Sequence, residues 1–191
     1  MNAHRRRSAL ALAFALALLA GCGYNTIQTM DEKVNAAESQ IKVQLQRRAD
    51  LVPNLVETVK GYAKQEQTIF IQVADARAKL AGAVQSGDLQ QMAAANAALT
   101  APLGRLIAIA ENYPQLKSNE NFRALQDQLE GTENRVAVAR QDYNESVNAY
   151  NAYIRRFPQV VTAKVLGKKP RPYFELQTPG AAETPKVDFS H

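Results

Sequence analysis

Two histidines, one cysteine and no tryptophan are found among 191 residues. His4 lies beside the N-terminal arginines and His191 is the last residue, so the body of the chain holds no imidazole. This argues against a Ser-His-Asp or Cys-His arrangement. A carboxylate-bridged metal site in a helical bundle would also lack the Glu-x-x-His pairs it normally uses. Carboxylate-only or lysine chemistry remains open, but nothing signals it, and neither cofactor nor metal is expected. Glycines outside the N-terminal region stand singly, which excludes a Gly-rich phosphate-binding loop. A lone cysteine, Cys22, leaves no partner for a disulfide within the chain.

What is present begins with an export signal. Arg5, Arg6 and Arg7 precede "SALALAFALALLA", an apolar run too short to span a bilayer comfortably but suited to a signal peptide. The run closes on "LLAGC", which resembles the lipobox of bacterial lipoproteins, in which the cysteine becomes the lipidated first residue. Residues 1–21 are therefore read as a signal peptide and Cys22 as the lipid attachment site; an ordinary signal peptide and an uncleaved anchor are the alternatives. Gly23, in place of aspartate after the cysteine, resembles the pattern sorted to the outer membrane, with the chain facing the periplasm. Of 23 basic residues three leave with the signal, so 20 face 18 acidic ones, and nucleic acid is not implied.

Residues 22–157 show helical periodicity and predict an all-α domain, an elongated antiparallel bundle of about four helices near 25–49, 51–86, 88–112 and 118–157. The first register is Ile27, Met30, Val34, Ala37, Ile41 and Leu45. The second is Leu55, Val59, Tyr62, Glu66, Ile69, Val73, Ala76, Leu80 and Ala83, in which the charge of Glu66 needs a partner or a watery notch. Leu89, Met92, Ala93, Leu99, Leu103, Leu106 and Ala110 form the third, in which Pro102 should kink the helix or start a turn capped by Thr100. The fourth runs from Phe122 through Leu129, Val136, Tyr143, Val147, Tyr150 and Ile154 to Phe157, and its Gly131 suggests a close helix crossing. Gly87 with Asp88, and Pro114, punctuate the boundaries.

The stretch "QRRADLVPNLVETVKGYA" interrupts this pattern with Arg47, Arg48, Asp50 and Pro53. The favoured reading is a helix corner, with Asp50 as N-cap, Pro53 in a first turn and the arginines in the last turn of the preceding helix. A continuous kinked helix through Pro53 and an arginine and carboxylate site for an anionic ligand are the other two readings. Further on, Tyr143 and Tyr150 lie on the core face, while Tyr153 with Asn144, Asn148 and Asn151 suggests a binding strip. Residues 158–191 hold five of the eight prolines and predict an irregular tail, partly packed back through Tyr173 and Phe174 and disordered after about residue 180. From Arg155 to Phe174 there are six basic residues, Arg155, Arg156, Lys164, Lys168, Lys169 and Arg171, and no acidic one. If the helices alternate in direction, this stretch starts near the bilayer and faces anionic headgroups; a solvated basic tail is the equal alternative.

Several stretches carry a wider likeness: "QLQRRADLVPNLVETVKGYA", "ENYPQLKSNENFRALQDQLEGTENRVAVARQDYN", "FP" at Phe157 and Pro158, and "KPRPYFE". Together they resemble the LemA family, small bacterial membrane-attached helical proteins. The resemblance implies a membrane-tied helical bundle with no established enzymatic activity and no agreed cofactor. A lipobox in place of the transmembrane helix of many members is a departure from the family. The expected function is a non-enzymatic scaffold or adaptor held to the membrane by an N-terminal lipid, with a membrane protein as partner. A small-ligand or lipid carrier with a cavity in the bundle is the alternative.

Overall fold

The computed structural model describes residues 2–175, and of residues 2–22 the backbone alone. The lipidation expected at the Cys22 side chain and the disorder expected after residue 180 lie outside what is described. Among the described residues the chain is all-α, with six helices and no strand: α1 (Asn2–Lys60), α2 (Gln67–Ser86), α3 (Leu89–Glu111), α4 (Pro114–Lys117), α5 (Glu120–Arg155) and α6 (Gln159–Val165).

The corner expected at Asp50 is absent, because α1 continues through Pro53 to Lys60. Proline has no amide hydrogen, so the carbonyl of Ala49, one turn back, loses its helical donor in a position that is fully buried. The Arg77 Nε from α2 supplies the missing hydrogen bond, at 3.2 Å. A long-range side chain thus satisfies what the backbone cannot, and the helix carries its proline without ending.

The break falls instead at Gly61, after which Tyr62 and Ala63 turn back on the carbonyl of Val59 at 3.0 and 2.9 Å. The helix expected over 51–86 is therefore the end of α1 followed by α2. Gly61 lowers helix propensity, and a polar run, "KQEQ", follows it. Lys60 closes α1 with its ammonium 5.8 Å from the Phe70 ring centroid of α2.

Gly87 ends α2 in the left-handed conformation at φ 72°, with its amide donating to Ala83 O. Asp88 then caps α3, accepting from the amides of Gln90 at 2.9 Å and Gln91 at 3.1 Å. Within α3, which runs unbroken through Pro102, the proline does not restart the helix as a capped turn. Thr100 is no N-cap: its hydroxyl donates back to Asn96 O at 3.2 Å. Before α5, Asn119 accepts from the Phe122 amide at 3.0 Å, and Glu120 and Arg155 place an acid and a base at the helix ends that favour them. By length and composition α3 is the one described helix able to cross a membrane, but Met92, Ala93, Asn96, Leu99, Leu103, Leu106 and Ala110 are buried, and it reads as a core helix packed on α2.

The described chain divides into two compact units, one of residues up to Ile41 with Ala137–Tyr173, the other of Lys42–Val136 with the chain from Phe174. The first unit buries Ile27, Val34 and Ile41 of α1, Ala139, Tyr143, Val147, Tyr150 and Ile154 of α5, and Ala163 of α6. The second buries Leu45, Val52, Leu55 and Val59 of α1 with the inner faces of α2 and α3, Leu116, Phe122, Leu129 and Val136. Each large side chain of this kind contributes roughly 1.5–3 kcal/mol on burial. Phe157, expected as the last core position of its helix, lies beyond the end of α5 and is 79% exposed.

Gly131 has no helix against it either. A β-carbon there would meet only the guanidinium of Arg135, at 3.1 Å, the movable end of a side chain in the same helix. The close crossing expected at this glycine is not what the structure shows.

Candidate functional site

Two clusters of charge lie inside the fold, one in each unit. In the first, Asp31 stands on α1 one turn after Ile27, on the core face, and is 8% exposed. Its carboxylate accepts from Lys168 Nζ at 2.6 Å and from Arg171 Nε and Nη2 at 3.1 and 2.8 Å. Arg171 Nη2 also donates to Asn35 Oδ1 at 2.7 Å.

The backbone of Arg171 is gripped as well. The Asn151 amide donates to its carbonyl at 2.9 Å and accepts from its N–H at 2.8 Å, while the Tyr143 hydroxyl donates to Pro172 O at 2.9 Å. Prolines on either side of Arg171 keep this segment extended, which leaves its backbone groups open to side chains of α5. The result is a clasp that ties "KKPRPY" to α1 and α5.

The electrostatics of the clasp agree with its geometry. Burial works to raise the Asp31 pKa, but hydrogen bonds and charge from Lys168 and Arg171 outweigh it and hold the carboxyl below its ordinary value. The hydrogen bond to Asp31 raises Lys168 and Arg171 in turn. Burial, with a contribution from Glu38, pushes the Tyr143 hydroxyl up to about 12, so it stays a donor. Burial likewise raises Tyr150, whose hydroxyl is buried without a hydrogen-bond partner.

In the second unit Arg48 is 4% exposed. Its guanidinium pairs with Glu133 of α5 and donates to Asn96 Oδ1 at 2.9 Å and Thr100 Oγ1 at 3.3 Å on α3, while its Nε has no partner. Burial draws its pKa down against the pull of Glu133, and an arginine starts so high that it stays charged.

The structure separates the residues of the expected anion site. Arg48 points into the packing of α1, α3 and α5, whereas Arg47 and Asp50 are exposed and line an open groove with Val43, Leu51 and Val84. Asp50 lies in mid-helix and accepts from Gln46 Nε2 at 2.8 Å, so it caps nothing. Glu66 is half-buried at the N-cap position of α2, without a side-chain capping bond, and is not a charge within a helical core.

The asparagine strip divides in a similar way. Asn151 is buried in the clasp, Asn148 accepts from the Tyr173 hydroxyl at 3.4 Å, and Asn144 lines an open groove with Asn148 and Tyr173. Tyr153 is half-buried, with its hydroxyl 3.8 Å from where a β-carbon on Gly23 would stand. Of the basic stretch, Lys168 and Arg171 belong to the clasp, whereas Arg155, Arg156, Lys164 and Lys169 are exposed. Phe174 is buried and Tyr173 is 42% exposed.

Sequence reasoning missed Asp31 and Arg77, and it placed Asn151 in a binding strip whereas the structure buries it in the clasp. For Asp31 the signal was there: it falls four residues after Ile27 and three before Val34, so a carboxylate occupies a core-facing position and needs a cation. Among the described residues no three His, Cys, Asp or Glu side chains come together in a group able to hold a metal ion.

The fold and these clusters define an all-helical protein whose buried charges brace its own helices. The chain belongs to the LemA family, whose model matches residues 37–189. It is also similar to two magnetosome proteins of Paramagnetospirillum magneticum, MamQ 2 and MamQ 1. Each is 31% identical over 189 aligned positions, covering 86% of this chain and 68% of the relative. Magnetosome protein MamQ of Magnetospirillum gryphiswaldense is 30% identical over 187 positions, with the same coverage.

Proposed function

We propose that this chain is a membrane-anchored envelope lipoprotein, lipidated at Cys22 and facing the periplasm, whose helices serve as a non-enzymatic scaffold or adaptor for membrane proteins. The observation that carries this reading is how soon the fold begins after the attachment point. Gly23 is already buried, and a β-carbon on it would stand 3.2 Å from the Gln159 Cγ. Ile27 is fully buried, and Asp31 is held in the clasp. A lipid on Cys22 would therefore hold the first unit directly at the bilayer surface, with no linker between.

The same contact favours an antiparallel course of α1 and α5 within that unit, since the start of the described side chains lies beside the residues that follow the end of α5. Membership of a family whose members are membrane-attached agrees with this reading, and the outer membrane is the favoured location. The use of charge supports a structural role: Arg48 and Asp31 have their hydrogen-bonding directions taken up largely by protein groups. A carrier needs an enclosed apolar cavity, whereas the groove beside Arg47 and that beside Asn144 are open to solvent.

Replacing Cys22 by serine tests the attachment. The variant is expected to leave the membrane fraction, because no other stretch after the apolar run is placed to hold the chain there strongly. Continued membrane association, with in-cell crosslinking finding no membrane-protein partner to explain it, would overturn the reading.

A further inference from the structure

Helix α6 is seated by one side and bare on the other. Thr162 and Ala163 are buried, while Phe157, Val161 and Val165, spaced by four, are 79%, 49% and 81% exposed. Steps of four keep Val161 and Val165 on one helical face, and the exposed Phe157 lies in the turn that leads into α6. Three large apolar side chains on so short a segment are an unusual thing to leave in water. Arg155, Arg156, Lys164 and Lys169 flank them in sequence and are exposed, and no acidic residue occurs between Arg155 and Phe174. The two other cations of the stretch, Lys168 and Arg171, are turned inward and share the carboxylate of Asp31.

The position of α6 within the first unit is fixed by a second, independent contact. Its first residue, Gln159, packs against Gly23. Gly23 follows the apolar run Leu10–Ala20 by three residues, so it lies at the bilayer surface whether Cys22 carries a lipid or the run itself stays in the membrane.

We propose that the outer face of α6, Phe157, Val161 and Val165 flanked by Arg155, Arg156, Lys164 and Lys169, docks on an anionic lipid surface. The apolar side chains enter the headgroup boundary, and the cations sit among the lipid phosphates. An apolar face with a basic rim is the pattern that binds a membrane interface in plane, and its electrostatic part acts only within a Debye length of the surface. The contact with Gly23 places α6 inside that range. The clasp of Asp31 with Lys168 and Arg171 then acts as a mount that fixes the segment after α6, so that docking orients the whole first unit. This inference rests on the membrane-anchored reading and adds a second, lipid-selective contact to it.

The absence of native tryptophan makes a direct test possible. Val161→Trp in the full chain places the only indole on the proposed face, and Val138→Trp places it on an exposed site of α5, on the order of 25 Å back along that helix from Arg155. Each variant is reconstituted with vesicles of phosphatidylcholine, with or without phosphatidylglycerol. Emission is read with and without brominated acyl chains, at low and high salt, and flotation of the vesicles is measured in parallel.

The expected result is a blue-shifted indole at residue 161, quenched severalfold by brominated lipid in anionic vesicles at low salt. Quenching should be weaker in neutral vesicles or at high salt, and absent for the indole at residue 138. Changing Arg155, Arg156, Lys164 and Lys169 to glutamine should remove the dependence on lipid charge. An unquenched indole at residue 161 in protein that floats with the vesicles would overturn this inference while leaving membrane anchoring intact. Failure to float would overturn the anchoring itself. Equal quenching in neutral and anionic vesicles would contradict the role given to the cations. A blue shift without quenching by brominated lipid would mean that protein, such as a second copy, covers the face.

Discussion

At Pro53 a single missing hydrogen explains a long-range contact. The Ala49 carbonyl is buried and its helical donor is a proline, so Arg77 of α2 fills the vacancy. Arg77→Met keeps the aliphatic stem and removes the donor. It should cost about 1–3 kcal/mol, measured by denaturant unfolding, as the penalty of an unsatisfied buried carbonyl. In a Pro53→Ala background, where the new amide can donate to Ala49, the same change should cost little, and a double-mutant cycle should show coupling of about 1 kcal/mol or more. Additive effects would mean that Arg77 matters for another reason. Asp50→Ala, by contrast, should change stability by less than about 0.5 kcal/mol, because Asp50 forms one exposed side-chain bond and caps no helix. Gly131→Ala should stabilise by up to about 1 kcal/mol, since only the mobile tip of Arg135 stands near the added methyl.

At the scale of elements, the clasp around Asp31 decides how the first unit responds to pH. Its pKa lies below the ordinary 3.8 when folded, so the unfolded chain takes up the proton first as acid is added. The stabilisation is present above about pH 4 and is lost as pH falls through the folded value. Lys168 and Tyr143 are raised above 10.5 and 10.0, Tyr143 to about 12. Their contribution is complete below those ordinary values and is lost as pH rises through the folded ones. Melting temperature followed across pH should therefore fall on both sides, and Asp31→Asn should flatten the acid limb while costing on the order of 2 kcal/mol at neutral pH. An acid limb unchanged in Asp31→Asn would show that other carboxylates set it.

The boundary at Gly87 and Asp88 was legible because one residue must adopt positive φ and the next must accept amide hydrogens. The break at Gly61 was not, since the apolar register continues in phase through Tyr62 and Glu66 although the chain turns there. Periodicity records which side chains could face a core, and it is blind to a turn that preserves the phase. The paired residues Arg48 and Asp31 were half legible: each falls on a buried face, but the identity of a partner more than 80 residues away, Glu133 or Arg171, depends on tertiary packing alone.

For the whole molecule, what matters is where the charge and the apolar surface lie along the chain. With Arg5, Arg6 and Arg7 set aside, 20 basic residues nearly balance 18 acidic ones, yet Arg155–Phe174 holds six bases and no acid. The structure turns two of those bases inward to Asp31 and leaves four exposed in the same stretch as Phe157, Val161 and Val165, whose helix begins against Gly23. The proposed lipid at Cys22 and the proposed docking face of α6 would together hold the protein closely against a membrane. The most direct test is the mass of the N-terminal peptide of the protein extracted from membranes. The account predicts that Cys22 is the first residue and carries a diacylglyceryl group. A peptide running unbroken from Leu19 through an unmodified Cys22 to Tyr24 would contradict it.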